Sequence, residues 1–366
     1  MTSTTTKLNV KPPNGQVILA LEERGFCVGL SSDGKTVKKE SRVISELQDI
    51  INSSTVTWID YVVEDFKKDT LKVATELGFS ESLINSLLKA DRGAYEDLDS
   101  EMGMIIPAII VEGFDVKVDP LMVLIGKNLV ITLHTTEVKR FFRLRRYAET
   151  FMRKIKITIP LRDKITSVLI RIIGENNSRN FDHLREIEEN SDRLSKKLSD
   201  PKTPREVIGK EIHEMKHALI TYLTGLWETV DVLNTLRYGD PELLSDDPKI
   251  IGRLGALVTE VNNHIGLAEH LSEVLASGLE VVQSIYNNQL QILNNKMALL
   301  VAYLTILGTA VLVPNTLATV LSNPVYGLTI ADEGWFTALI VISTIISIIG
   351  SYWWVKNKGL LPERTD

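Results

Sequence analysis

Apolar positions gather near the C-terminal end of the chain, where the mixed pattern of the rest gives way to two long uncharged runs. Between Lys296 and Lys356 the only charged residues are Asp332 and Glu333, side by side in the middle. The runs on either side, 297–321 and 335–355, are each about 20–25 residues long, enough for a helix to cross a hydrocarbon core of ~30 Å. A buried core helix can be as apolar, but two such runs joined by a short polar loop predict two transmembrane helices with a loop at 322–334 between them. Trp335 and Phe336 at one end of the second run, with Tyr352, Trp353 and Trp354 at the other, form an interfacial aromatic belt.

Ahead of the spans the periodicity is shorter. Segments 16–21, 56–63, 104–111 and 121–133 are rich in Val and Ile and read as strands, the last divided by a turn at Gly126-Lys127-Asn128. Segments 64–77 and 80–88 carry helical spacing, with Ser80 and Glu81 as a start signal. This predicts an α/β domain over 14–161, behind a polar, Thr-rich tail at 1–13 that is expected to be disordered. The pattern leaves its strand order open.

Beyond Pro160 helical periodicity takes over. It predicts one helix over 162–198 with a break near Gly174, an interruption at Pro201 and Pro204 with Thr203 as a cap, and a second helix up to Tyr238, ended by Gly239-Asp240-Pro241. These form a helical region at 162–247. Asp246, Asp247 and Pro248 then open the longest helix, in which Ile251, Leu254, Leu257, Val261, Ile265, Ala268, Leu271, Leu275, Leu279, Val282, Ile285 and Leu293 keep near three-four spacing. No proline occurs from Lys249 to Val313, so a stalk at 248–296 runs on into the first span. About 70 residues at 1.5 Å each make ~105 Å, of which a bilayer holds a third. A helix this long with one apolar stripe needs partners, which implies association of several chains. The fold class is therefore an α+β membrane protein: an N-terminal cytoplasmic α/β domain, a helical region, and a long stalk helix continuous with the first of two C-terminal transmembrane helices.

Charge sets the orientation. Lys296 precedes the first span, Lys356 and Lys358 follow the second, and the loop 322–334 carries no Lys or Arg. The positive-inside rule places both termini in the cytoplasm, with a short tail at 356–366, and the Asp332/Glu333 loop outside the cell membrane. The net charge of −6 argues against nucleic acid as the main partner. A single cysteine, Cys27, excludes an intrachain disulfide framework and fits a reducing compartment. Lys139, Arg140, Arg143, Arg145, Arg146, Arg153, Lys154 and Lys156 cluster as a nucleic-acid stripe would, but the interleaved Phe141, Phe142, Leu144, Tyr147 and Phe151 predict an amphipathic helix with a solvated basic face.

Two stretches carry candidate chemistry. His213-Glu214-Met215-Lys216-His217 matches H-E-x-x-H, in which two His one turn apart bind zinc and the Glu serves as base. Against it, Lys216 sets a cation beside the metal position and no third ligand is evident. In the first span Thr305, Thr309, Thr316 and Thr319 recur at helical spacing, with Gly308 and Asn315 beside them. Membrane threonines bond their own helix or pack between helices. Pro314, however, leaves the Ala310 carbonyl without its donor, and an open carbonyl at membrane depth needs protein or water. Stripe and carbonyl together favour a water-filled path lined by Thr305, Gly308, Thr309, Asn315 and Thr316. No G-x-x-x-x-G-K-[ST] occurs, no cofactor is implied, and the residues that would hold a metal stay open.

Taken in order, the segments resemble the CorA-type divalent cation transporters over nearly the whole chain. The echoes are Val56-Thr57-Trp58-Ile59-Asp60, Lys127-Asn128-Leu129-Val130-Ile131-Thr132-Leu133-His134, Leu226-Trp227 with Val232-Leu233-Asn234, and Leu304-Thr305-Ile306. The resemblance implies a homopentamer in lipid whose five first spans line a pore for divalent cations, Mg2+ or a relative, without enzymatic chemistry. Mg2+ gives up water reluctantly, so a ring of neutral oxygens can hold its hydration shell. Two departures stand out. Family members carry Gly-Met-Asn where the first span meets the outer loop, whereas this chain has Tyr326-Gly327-Leu328-Thr329, at a longer distance from Pro314. An acidic stalk residue that binds regulatory metal in some relatives falls on Asn263. The alternatives are a membrane-anchored zinc metalloprotease built on His213 and His217, and a scaffold that conducts nothing.

Overall fold

The computed structural model describes residues 24–90, 93–199 and 205–357. The expected tail at 1–13, the strand at 16–21, the Thr203 cap and Lys358 lie outside them. The chain divides into two compact units, Met1–Ala276 and Ser277–Asp366.

The first unit is built on a seven-stranded sheet in the order β2-β1-β3-β7-β6-β5-β4. Its strands are β1 (Gly25–Leu30), β2 (Thr36–Glu40), β3 (Val56–Val62), β4 (Tyr95–Asp97), β5 (Met102–Glu112), β6 (Asp115–Ile125) and β7 (Leu129–His134). The turn expected at Gly126-Lys127-Asn128 separates β6 from β7 as predicted. β3 and β7 run parallel and every other pair is antiparallel. One face is covered by α1 (Ser45–Ser53), α2 (Phe66–Glu76) and α3 (Glu81–Ala90), through a core that includes Leu47, Ala74, Leu83, Ile59, Met122 and Ile131. Asp65 starts α2 by accepting from the amides of Lys67 and Lys68.

The other face carries α4 (Arg140–Arg153), amphipathic as expected, with Arg143, Arg146 and Arg153 exposed, but two of the basic residues expected on its solvated face lie inside instead. Arg140 and Arg145 are buried. The parallel register sets Asp60 opposite Thr132 and Val62 opposite His134, which gathers a polar cluster on that face. Arg145 Nε donates to Asp60 Oδ2 at 2.6 Å and Thr132 Oγ1 donates to Asp60 Oδ1 at 2.5 Å. His134 Nε2 lies 3.0 Å from the same Oδ1, and Trp58 Nε1 donates to Thr132. Burial alone would raise the Asp60 carboxyl; the charges of Arg145 and His134 outweigh it and hold it well below the usual carboxylate range.

Arg140 has a different task. β4 pairs β5 only at Met102–Met104, so the rest of that edge of β5 is open. Asn176 Nδ2 donates to the Pro107 carbonyl at 2.8 Å, and Arg140 donates to the Ile109 carbonyl and to the Asn176 carbonyl. Side chains thus close the sheet edge. The same contacts explain where the predicted 162–198 helix breaks. It ends as α5 (Leu161–Asn177) and restarts as α6 (Asn180–Ser199), at Ser178–Arg179 and not at Gly174, because Asn176, Asn177 and Asn180 are drawn inward. Gly174 itself is helical.

α7 (Arg205–Tyr238) follows, and Gly239 closes it by donating to the Thr235 carbonyl. Asp247 then accepts from the Lys249 amide at 2.8 Å and opens α8 (Pro248–Leu321, 74 residues), with Pro248 at the first helical position. Leu254, Val261, Ile265, Ala268 and Leu275 on α8 are buried. The first half of the predicted apolar stripe is therefore consumed inside the chain.

Two measurements check this account. Asp60→Asn leaves Arg145 buried beside a neutral amide, and it should lower stability by about 3–5 kcal/mol, read as a large fall in the thermal midpoint of the purified protein. The second concerns His183, whose ionisation burial depresses to about 4, helped by the Arg140 and Arg179 charges. A histidine is ordinarily half-protonated near 6.5 when unfolded, so the unfolded chain binds the extra proton first. Stability should be fully present above about pH 6.5 and fall as pH drops toward 4; His183→Gln should flatten that slope.

Candidate functional site

The second unit holds the remainder of α8 and α9 (Glu333–Asn357). Two helices, Pro248–Leu321 and Ile330–Asn357, are long and apolar enough to cross a membrane. In their most apolar windows only 17% and 6% of the residues are buried, so neither packs as a core helix within this chain.

Hydroxyls join the two spans. Ser347 Oγ donates to the Thr309 carbonyl at 2.9 Å, and the Thr309 and Ser351 hydroxyls meet at 2.7 Å. Ser343, Ser347 and Ser351 recur every fourth residue, so one face of α9 is small and polar, as close helix pairing in lipid requires. The residues of α8 buried in this unit are Ala302, Ala310 and Pro314, and that of α9 is Val355. Sequence reasoning passed over the serines, whose four-residue repeat is nonetheless visible in the chain.

Pro314 stays inside the helix, which runs past it to Leu321. The Ala310 carbonyl it leaves without a donor belongs to a buried residue on the side facing α9, not to the polar stripe. Stripe and carbonyl are thus two features on different faces, where the sequence analysis had combined them.

The stripe remains. Thr305, Gly308, Asn315 and Thr316 are exposed and share one face of α8, with Thr319 alongside and Thr309 at its border with α9. Thr305 donates to the Val301 carbonyl, Thr309 to Thr305, Thr316 to Leu312 and Thr319 to Asn315, at 2.7–2.8 Å. Each threonine proton in the stripe is committed within the helix, so these hydroxyls present oxygen lone pairs outward, while the Asn315 amide can still donate.

The connection between the spans is ordered by its own bonds. Asn323 accepts from the Val325 amide and starts a 3-10 turn at Pro324–Tyr326. Gly327 follows with φ +58, a left-handed conformation that favours glycine. Asp332 Oδ2 accepts from the amide and the hydroxyl of Thr329, both at 2.9 Å, and Asp332 Oδ1 from Trp335 Nε1 at 3.0 Å. Asp332 is thereby a strut of the loop as well as a charge. Glu333, exposed at the start of α9, has the favourable sign for a helix N-terminus.

The zinc motif does not assemble. His213 and His217 are exposed on α7 and Glu214 pairs with Lys210 at 3.6 Å. Among the described residues no three His, Cys, Asp or Glu are grouped to hold a metal ion. Asn263 is exposed on α8.

Against known proteins, no curated sequence matches. Among solved structures the chain is similar to the complete CorA magnesium transporter of Methanocaldococcus jannaschii, with 19% identity, a TM-score of 0.65, and coverage of 91% of this chain and 97% of that one. It is similar to full-length CmaX, with 16% identity, a TM-score of 0.62, and coverage of 92% and 98%. The ZntB cytoplasmic domain of Vibrio parahaemolyticus matches at 15% identity with a TM-score of 0.50, over 72% of this chain and 98% of that domain. These likenesses establish the fold. The description CorA-like Mg2+ transporter protein fits residues 53–357, from the sheet through both spans, and the chain accordingly belongs to the CorA-like Mg2+ transporter family.

Proposed function

We propose that five copies of this chain surround a pore lined by the polar stripe of α8, and that divalent cations pass through it down the membrane potential. The observation that carries the reading is Asn315. Its amide stands exposed on a span without charged residues, on the face that holds Thr305, Gly308 and Thr316. A primary amide turned to hydrocarbon is costly, so this face meets water or protein. Thr309 flanks the path and ties it to α9.

Self-association has its own support. On α8, Leu267, Val274 and Val281 recur every seventh residue at 48%, 47% and 55% exposure, and Ile285, Ile292 and Leu293 are exposed beyond them. A seven-residue apolar seam left open on a helix is the pattern that pairs with copies of itself. The number five comes from the family resemblance. Tyr326, Gly327, Leu328 and Thr329 stand at the outer mouth, both termini are in the cytoplasm, and the cation is cargo held by no cofactor. A divalent ion gains ~4.6 kcal/mol per 100 mV of inside-negative potential, so no covalent step is required.

Ion flux into liposomes tests the pore face. Thr305→Val keeps the shape and removes the oxygen, and should raise the barrier by on the order of 1 kcal/mol, about fivefold in flux; Thr305→Ser should restore it. Unchanged flux in the Val variant would move the pore to another face of the helix.

The outer acids divide in their expected effects. Up to ten charges from five copies of Asp332 and Glu333 would raise the local cation concentration at the mouth. Glu333→Gln should therefore lower flux chiefly at low ionic strength, since the field is screened within about 10 Å at 0.1 M salt. Asp332→Asn should lower flux at every ionic strength, because it also releases Thr329 and Trp335. Flux curves for the two variants against salt concentration separate these effects. A single-chain mass in mild detergent would remove the oligomer from the proposal.

A further inference from the structure

Within the first unit a cleft of about 650 Å3 opens between the C-terminal end of α4, the connection 154–160, α5 and the first turns of α8. Its volume is in the range of small-molecule sites, about 300–1,000 Å3. The charge of its lining is unusual in a chain with a net charge of −6. Lys154 and Lys156 enter from the connection, Arg171 from α5, and Lys249 and Arg253 from one face of α8.

The negative side is sparse. Asp247 is the one carboxylate among the lining residues, and its Oδ1 already accepts from the Lys249 amide. Among the described residues no carboxylate pairs with Lys154, Lys156, Lys249 or Arg253. Arg171 shares the Glu175 carboxylate with Arg143, at 3.5 and 2.8 Å. With Arg171 paired, the four remaining cations against one acid leave a formal surplus of three positive charges in one concavity. Like charges crowded together repel, and a cleft with low-dielectric walls focuses the field of those that remain. These side chains are exposed to solvent, and an anion bound among them would offset the surplus.

The rest of the lining narrows the kind of anion. Tyr147, 54% exposed, and Phe151 form an aromatic wall on α4, with Ile155 and Ile250 beside them. An inorganic ion has no use for such a wall, whereas a heterocyclic base stacks on it. We propose that this cleft binds a nucleoside polyphosphate, its phosphates among Lys154, Lys156, Lys249 and Arg253 and its base against Tyr147 and Phe151. The lining has no glycine-rich phosphate loop and no grouped carboxylates to hold a catalytic metal, so the site binds its ligand and does not hydrolyse it. Because Lys249 and Arg253 belong to the helix that continues into the first span, the ligand bridges the α4–α5 connection to the start of that helix.

Titration calorimetry on the full-length protein in detergent, at 0.1 M salt with EDTA, tests the site with two probes, ATP and inorganic triphosphate. It does so whether or not the protein conducts ions. ATP is expected to bind saturably, once per chain. Lys249→Gln combined with Arg253→Gln should weaken it about tenfold or more, as loss of two charge-assisted contacts predicts, and Lys154→Gln with Lys156→Gln should do the same from the other wall. Lys210→Gln on α7, outside the cleft, should leave binding unchanged. Tyr147→Ala should weaken ATP and leave triphosphate as it was. No saturable binding of either probe, or equal binding by the wild type and both double variants, would overturn the site. Equal affinity for the two probes, with no effect of Tyr147→Ala, would overturn the nucleoside part of the assignment.

Discussion

Everything beyond Pro248 depends on one long ladder of backbone hydrogen bonds. A chain entering lipid cannot leave its amides and carbonyls to water, and a helix is the one single-segment solution. α8 applies it over 74 residues, so the element whose Leu254, Val261 and Ile265 are buried in the first unit is the same element that carries the polar stripe. No loop separates the two roles. The one gap in the ladder, at Pro314, belongs to the face that meets α9. A neighbouring helix can shield an unpaired carbonyl there, and the Ser347 hydroxyl reaches the adjacent Thr309 carbonyl.

The sheet domain supports the first turns of that helix through a different constraint, the burial of charge. Asp60 is fully buried and so is His134, while Arg145 is nearly so. Such a group is tolerable only when every partner is in place, which makes the register of β3 against β7 and the placement of α4 interdependent. Arg140 and Asn176 extend the same logic to the open edge of β5, where they take up carbonyls that no strand pairs. The break between α5 and α6 follows from that demand more than from the local preference of any residue.

Much of this was legible in the sequence because it rests on hydrophobic period. The spans, the start of α8 at Asp247-Pro248, its continuation into the membrane, and strands β3, β5, β6 and β7 are all set by runs of apolar residues and their stops. What was not legible depends on contacts far apart in the chain. β1 and β2 are short and flank Gly34, and β2 alternates weakly because it lies at the sheet edge with mostly exposed side chains. Arg140 and Arg145 look like any other basic residues of α4 until Asp60 and the β5 carbonyls are placed opposite them. Thr309 and Thr305 are four apart and equivalent by spacing, yet only Thr309 reaches a serine of α9. The line between the exposed polar face and the packing face runs between neighbouring threonines, and helical period alone cannot draw it.

The stripe has a chemical consistency that spacing did not reveal. Each threonine hydroxyl on α8 gives its proton to a carbonyl of its own helix, a bond that contributes little to stability in lipid but fixes which way the oxygen points. A hydroxyl with its proton engaged can only accept. Rings of such oxygens around an axis would receive hydrogen bonds from the water shell of a cation, whose hydrogens point outward, and would offer nothing to the shell of an anion. Asn315 differs, since its amide can both donate and accept, and it stands nearer the loop 322–334 than Thr305. In the proposed pore, a hydrated cation entering at the loop end would meet the fixed acceptors of Thr319 and Thr316, then the adaptable amide of Asn315, then Thr305.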